Sequence, residues 1–173
     1  MSEIVDVVDK SDKVIGKNTR ANVHKKGILH RGTHAILFNS KGDILLPVRS
    51  ATKDAFPNTY DCSVSEHVGR GEKYEHAISR GIKEELGIRK LKLNRLVRFW
   101  LRYGPHNYKI STLYEAVQHG KLVFDKNEIK EIEYVSKARL KRMLIARKSK
   151  FAPWSYEILK WYLDMPSKLK VLD

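Results

Sequence analysis

A single cysteine, Cys62, stands among 173 residues, which excludes an internal disulfide and makes a reducing cytoplasm the expected setting. No apolar run approaches the roughly 20 residues that a membrane-spanning helix requires, so no membrane partner is expected. The opening stretch Met1-Ser2-Glu3-Ile4-Val5-Asp6 lacks the basic-then-apolar layout of a secretory leader. Low-complexity segments, linkers and internal repeats are also missing. Nothing therefore divides the chain, and one domain over residues 1–173 is expected. At 42% apolar residues the composition is that of a folded chain with a core, not of a disordered one.

Acidic side chains are in short supply. Lys and Arg number 34 against 20 Asp and Glu, a net charge of +14. Such a balance favours polyanionic partners: nucleotides, diphosphates or RNA. The excess collects at Lys25-Lys26, at Arg89-Lys90-Lys92 and between Lys137 and Lys150. Lys137 to Lys148 reads as an amphipathic helix with a basic outer face. Such a face is ordinarily solvated, and no aromatic side chains are interleaved for base stacking. A nucleic-acid partner stays open on charge alone, and a homodimer is equally open.

Local patterning alternates short strands with a few helices. Glu3 to Val8 and Lys13 to Ile15 read as strands around the turn Asp9-Lys10-Ser11-Asp12. Thr33–Phe38 and Asp43–Arg49 form a hairpin across Asn39-Ser40-Lys41-Gly42. Tyr60 to Val64 is a further strand, as are residues 89–101 and 108–117, parted by a turn at Gly104-Pro105, and residues 131–135. Helices are expected near 74–86, 136–146 and 153–163. Helices on a mixed sheet make an α+β sandwich.

The segment with most chemistry is Gly71-Glu72, then seven residues, then Arg80-Gly81-Ile82-Lys83-Glu84-Glu85-Leu86-Gly87-Ile88. On a helix from about Tyr74 to Leu86, Arg80 and Glu84 share one face, and so do Gly81 and Glu85. Ile78 and Ile82 point toward a core, and Gly87 supplies the left-handed stop. Adjacent glutamates repel unless a cation sits between them. Oxygen-ligated Mg2+ or Mn2+ is the natural counter-ion, and it binds substrate phosphates too. Read without function, Arg80 and Glu84 are a solvated ion pair.

These residues resemble the Nudix box, whose family pattern is G-x5-E-x7-R-E-U-x-E-E-x-G-U, with U a bulky aliphatic. Seven of nine fixed positions match: Glu72, Arg80, Ile82, Glu84, Glu85, Gly87 and Ile88. Glu66 stands where the first glycine belongs, and Gly81 stands where the first glutamate of R-E-x-x-E-E belongs. The resemblance implies a Nudix-type α/β/α sandwich with a mixed sheet. Within that single domain lie an N-terminal hairpin (about 3–20), the box (about 66–88) and C-terminal helices (about 136–163). It also implies hydrolysis of a diphosphate linkage in a nucleoside-diphosphate-type or related small molecule. Glu85 and Glu84 would hold the metal, and water activated by that metal would attack phosphorus. Arg80 would pair with Glu72 or Glu84 and orient the helix. Glu66, Glu128 and Glu131 are the candidate bases, in that order. Glu66 is also placed to supply the oxygen that Gly81 lacks, whereas Glu128 and Glu131 read equally as an exposed strand face.

Further segments resemble the branch containing isopentenyl-diphosphate isomerase: Ile15-Gly16, Arg20, His30-Arg31-Gly32-Thr33-His34, residues 45–57 and Phe151-Ala152-Pro153-Trp154. By that resemblance Arg49 and Lys53 grip the substrate diphosphate. His24, His30 and His67 fall at or near three metal-binding histidines, and His67 borders the site. The isomerase needs a cysteine where Ser65 stands, and a Glu-x-Glu that Lys109 to Glu115 does not supply. Cys62 reads as a small core residue. An isomerase-like protein and a catalytically reduced nucleotide- or RNA-binding Nudix domain are the alternatives. Satisfied structural histidines are the plainer reading of His24, His30 and His34. Trp100, Tyr103, Tyr108 and Trp154 could stack on a base, or belong to the core.

Overall fold

The computed structural model describes residues 3–173. Met1 and Ser2, which open the stretch read for a leader, lie outside them. Strands β1 (Ile4–Val8) and β2 (Val14–Thr19) pair antiparallel. Their turn is pinned by Asp9 Oδ1, which accepts from the Ser11 and Lys13 amides. β2 runs on to Thr19 instead of ending at Ile15, and helix α1 (Arg20–Lys26) follows. This helix was not anticipated, although its caps are in the sequence. Thr19 Oγ1 accepts from Asn22 N at 3.2 Å, and Gly27 closes the helix at φ 66.

β3 (His30–Phe38) and β4 (Ile44–Arg49) leave the expected turn as a hairpin, but only Phe38 and Ile44 pair. The strands then splay. Ser63 bridges the gap with its hydroxyl, accepting from Leu37 N at 2.8 Å and donating to Leu45 O at 2.7 Å. β4 pairs along its length with β8 (Ile129–Val135) instead. The expected strand Tyr60 to Val64 is displaced, because Tyr60 makes only isolated bridges to Val48 and Phe151. Asp61 turns its carboxylate onto Cys62 N at 2.7 Å and breaks the extended run. The strand proper is β5 (Val64–His67), which pairs antiparallel with β3 from Ala35↔Val64 to Gly32↔His67.

After helix α2 (Tyr74–Leu86), Gly87 adopts φ 72 and stops the helix as expected. The next strand, β6 (Asn94–Gly104), begins five residues later than the expected start at Arg89. Leu91 and Leu93 are spent packing against the α2 side of the core before any ladder forms. A Pro105-His106 turn leads to β7 (Asn107–Val117), which runs parallel to β3 from His30↔Lys109 to Phe38↔Val117. Helices α3 (Lys137–Ala146) and α4 (Pro153–Tyr162) agree with expectation, and a two-residue strand β9 (Lys170–Val171) edges β6.

Alternation along the strands builds two cores. Ala35, Leu37, Leu45 and Val64 face Ile78, Ile82 and Leu86 of α2. Ile36, Phe38, Leu46 and Phe99 face Leu140, Leu144, Ile158 and Leu159 of α3 and α4. The result is an α+β, α/β/α sandwich on a mixed sheet, with β3 and β7 paired parallel. Among the described residues no helix is long and apolar enough to cross a membrane.

Candidate active site and metal centre

The splay between β3 and β4 opens a cavity of about 940 Å3 that collects residues from nine elements and their loops. One wall is the C-terminal half of α2 with Arg80, Glu84 and Glu85. Arg49 and Lys53 form a basic stretch of the lining, and Asp61, Ser65, His67 and Lys109 also line it. Most of the sequence-predicted residues therefore converge, although His30 lies behind the lining. Glu72 does not line the cavity, and Glu131 lies exposed on β8 away from it.

Arg80 is the hub of the acidic wall. Its Nε and Nη2 donate to the two Glu72 oxygens at 3.1 and 3.2 Å, and Nη2 also donates to His67 O at 3.1 Å. Nη1 reaches Glu66 Oε2 and Glu84 Oε2, each at 3.3 Å. Burial works against the Glu72 charge, but the Arg80 and Gly69 N–H hydrogen bonds outweigh it and hold that carboxyl below the usual range. Glu66 is raised, chiefly by burial, with Arg80 opposing. Glu85 is held well above the usual range by burial and by the neighbouring Glu66, Asp61 and Glu128 charges, with Lys53 opposing. Glu85 has no side-chain hydrogen bond or ion pair among the described residues. An unpaired carboxylate among acidic neighbours is the environment that hard, oxygen-ligated Mg2+ or Mn2+ neutralises, so Glu85 and its neighbours fit such an ion.

On the basic wall, Arg49 Nη1 donates to Asp61 Oδ2 at 2.8 Å, and its Nε and Nη2 share Ala55 O. The guanidinium stacks 5.1 Å from the Trp154 ring. Lys53 pairs with Glu128, which is thereby engaged as a counter-ion. Asp61 escaped the sequence reading. It is 4% exposed and accepts from Arg49, Ser65 Oγ, Cys62 N and Trp154 Nε1. No motif marked it, since its partners come from residues 49, 65 and 154.

Three of the histidines come together. His24, His30 and His67 bring ligand atoms within 4.8 Å of one another. His24 Nε2 lies 2.9 Å from His67 Nε2, and His24 Nδ1 lies 3.1 Å from Asn107 Oδ1. His30 Nδ1 meets Ile28 O at 2.8 Å, leaving a buried Nε2 without a partner among the described residues. Burial first, and Lys109 second, push all three below the usual range, His30 to about 3. Neutral imidazoles suit a borderline transition ion better than Mg2+. Lys109, buried on β7 beside His30, sets a competing cation there. Its own pKa is lowered to about 7, mainly by burial. His34 lies apart, bonded through Nδ1 to Ser65 Oγ at 2.9 Å.

Cys62 is buried, and burial pushes its thiol well up, as a core residue requires. Of the aromatics, Trp154 and Tyr103 line the cavity, whereas Trp100 and Tyr108 pack on each other outside it.

Comparison with known proteins agrees with this geometry. The NUDIX domain model matches residues 28–162. An uncharacterised Nudix hydrolase of Pseudomonas aeruginosa is 31% identical over 163 residues, covering 94% of this chain and 95% of that protein. An isopentenyl-diphosphate Delta-isomerase of Photorhabdus laumondii is 30% identical over 165 residues, covering 92% of each. A crystal structure of a Deinococcus radiodurans protein superposes with a TM-score of 0.80 at 28% identity, covering 92% of this chain and 98% of that one. With its box helix, its mixed-sheet sandwich and these relatives, the chain belongs to the Nudix family.

Proposed function

We propose that this chain, as a single Nudix domain over residues 1–173, is a metal-dependent hydrolase of a small diphosphate substrate. The observation that carries the reading is the meeting of acidic and basic side chains in one cavity. Glu85 and Glu84 line it together with Arg49 and Lys53. Glu85 and Glu84 would hold Mg2+ or Mn2+, Glu85 as the principal ligand. When bound, that ion neutralises diphosphate charge and lowers the pKa of water. Arg49 offers a planar fork to phosphate oxygens, and Lys53 a point charge once the substrate displaces Glu128. His67, also on the cavity surface, would contact the substrate beside the acidic wall. Arg80 touches neither, but fixes the helix to Glu72 and to the His67 carbonyl. Glu66 and Glu128 border the cavity and are the carboxylates able to accept a proton there.

The test is phosphate release from nucleoside di- and triphosphates, nucleotide sugars, dinucleoside polyphosphates and isoprenoid diphosphates in Mg2+ or Mn2+. Turnover of one class that Glu85→Gln abolishes is the expected result. Binding without turnover across the panel, steeply weakened by salt, would instead favour a nucleotide- or RNA-binding domain. The converging histidines support a second reading, isomerisation of isopentenyl diphosphate. Ser65 in the thiol position opposes it, since a hydroxyl does not replace a thiol in proton transfer. Conversion without phosphate release would overturn the hydrolase reading.

A further inference from the structure

The two departures from the Nudix pattern, Glu66 and Gly81, lie against each other. Val64 and Glu66 share the face of β5 that is turned to α2, and Gly81 is the buried α2 residue opposite them. A Cβ built on Gly81 would fall inside the van der Waals envelope of Glu66 Cγ, with Val64 Cγ1 at 3.0 Å and Glu66 Cδ at 3.1 Å. The Glu66 side chain thus runs through the space that a side chain at position 81 would fill. Glycine in mid-helix is unfavourable by roughly 1 kcal/mol relative to alanine, and the close approach of Glu66 explains why it stands there. Glu66 Oε2 also lies 3.3 Å from Arg80 Nη1, which holds Glu84 at the same distance. Among the described residues Glu85 stays without a side-chain partner on the same cavity surface. One carboxylate has moved from helix to strand, and one glycine from strand to helix.

We propose that Glu66 supplies from β5 the third carboxylate of the metal site, replacing the glutamate that the family motif carries on the helix at position 81. The substitution pair is a compensated transposition rather than a loss. Glycine at 81 makes room for Glu66, and Glu66 restores the acidic side chain that glycine removes. Glu66 then acts as a metal ligand beside Glu84 and Glu85. This inference rests on the metal-dependent reading above.

The experiment titrates Mn2+ alone, by calorimetry, into wild type, Glu85→Gln, Glu66→Gln, Glu66→Gly, Gly81→Glu and the double variant Glu66→Gly/Gly81→Glu, and measures the thermal midpoint of each. Glu66→Gln keeps the shape and is expected to weaken Mn2+ binding by roughly tenfold or more. Gly81→Glu alone is expected to lower the midpoint, because its side chain collides with Glu66, and to gain no affinity. The double variant should recover that midpoint and bind Mn2+ within about threefold of wild type, well above Glu66→Gly. If wild type binds Mn2+ and Glu85→Gln abolishes uptake, the metal reading stands. An unchanged affinity in Glu66→Gln, or a double variant no tighter than Glu66→Gly, would then overturn the transposition alone. Absence of Mn2+ uptake by wild type would overturn both.

Discussion

Arg80 grips Glu72 through two parallel hydrogen bonds, Nε to Oε1 at 3.1 Å and Nη2 to Oε2 at 3.2 Å. That pair ties the loop before α2 to the middle of the helix, while Nη1 spans Glu66 and Glu84. A lysine carries the same charge but cannot present the fork. Arg80→Lys is therefore expected to lower stability by about 1–3 kcal/mol in urea unfolding and to reduce turnover. An unchanged midpoint with full activity would make Arg80 an ordinary surface cation.

Asp61 joins Arg49 to Ser65 on the cavity surface. With 4% exposure it is a buried charge, and Arg49 at 2.8 Å is its counter-ion. Asp61→Asn keeps the shape, so its effect isolates the charge. Removing one member of a buried pair typically costs about 3–5 kcal/mol, and Arg49 would lose the anchor that aims it into the cavity. A lower thermal midpoint and a raised KM for the diphosphate substrate are expected together. A fall in stability with KM unchanged would place Arg49 outside substrate binding.

Lys109 gives the fold a pH dependence of definite sign. Its ordinary value of 10.5 is lowered to about 7, by burial first and by Arg20 second. Between those values the unfolded chain holds a proton that the folded chain does not, so stability rises with pH. The destabilisation is full below about 7 and is relieved as pH rises toward 10.5. Lys109→Met should be more stable than wild type at pH 6 and should flatten the wild-type slope between pH 7 and 10 in denaturant titrations. Parallel slopes for the two proteins would refute this account of Lys109.

The helix of the box was legible to the residue. Its period-3.6 pattern and Gly87 stop are local signals, and Tyr74–Leu86 follows from them. The strands were legible in kind but not in extent. The start of β5 depends on Asp61 folding onto its neighbour's amide and on Ser63 wedging between β3 and β4. Both are tertiary events that alternation does not encode. Arg49, Glu84 and Glu85 could be picked from sequence because a motif carries them. Asp61 and Lys109 could not, because their roles come from burial beside residues distant in the chain. The histidine trio was named through the resemblance alone, since α1 brings His24 to His67 across 43 positions. The match of Glu66 to Gly81 was hinted by register, yet only the contact between them shows that the two departures are one.

Trp154 is the remaining element of the cavity with a distinctive chemistry. Its ring lies edge-on to Phe56 at 5.5 Å and to Tyr103 at 5.6 Å, with the Arg49 guanidinium 5.1 Å from it. Its Nε1 donates to Asp61 at 2.9 Å, so the indole is held in a fixed orientation. A rigid aromatic wall beside a phosphate-binding arginine suits a substrate with a planar base, and base–aromatic stacking is worth about 1–3 kcal/mol. Trp154→Phe retains a smaller stacking face and loses the N–H, whereas Trp154→Leu loses both. For a nucleoside diphosphate substrate, Trp154→Leu should raise KM by roughly tenfold or more, with Trp154→Phe between it and wild type. An isoprenoid diphosphate has no base to stack, and its KM should rise far less. If Trp154→Leu shifts KM equally for both substrates, the indole acts through Asp61 and Arg49 on the diphosphate and reads nothing of the leaving group.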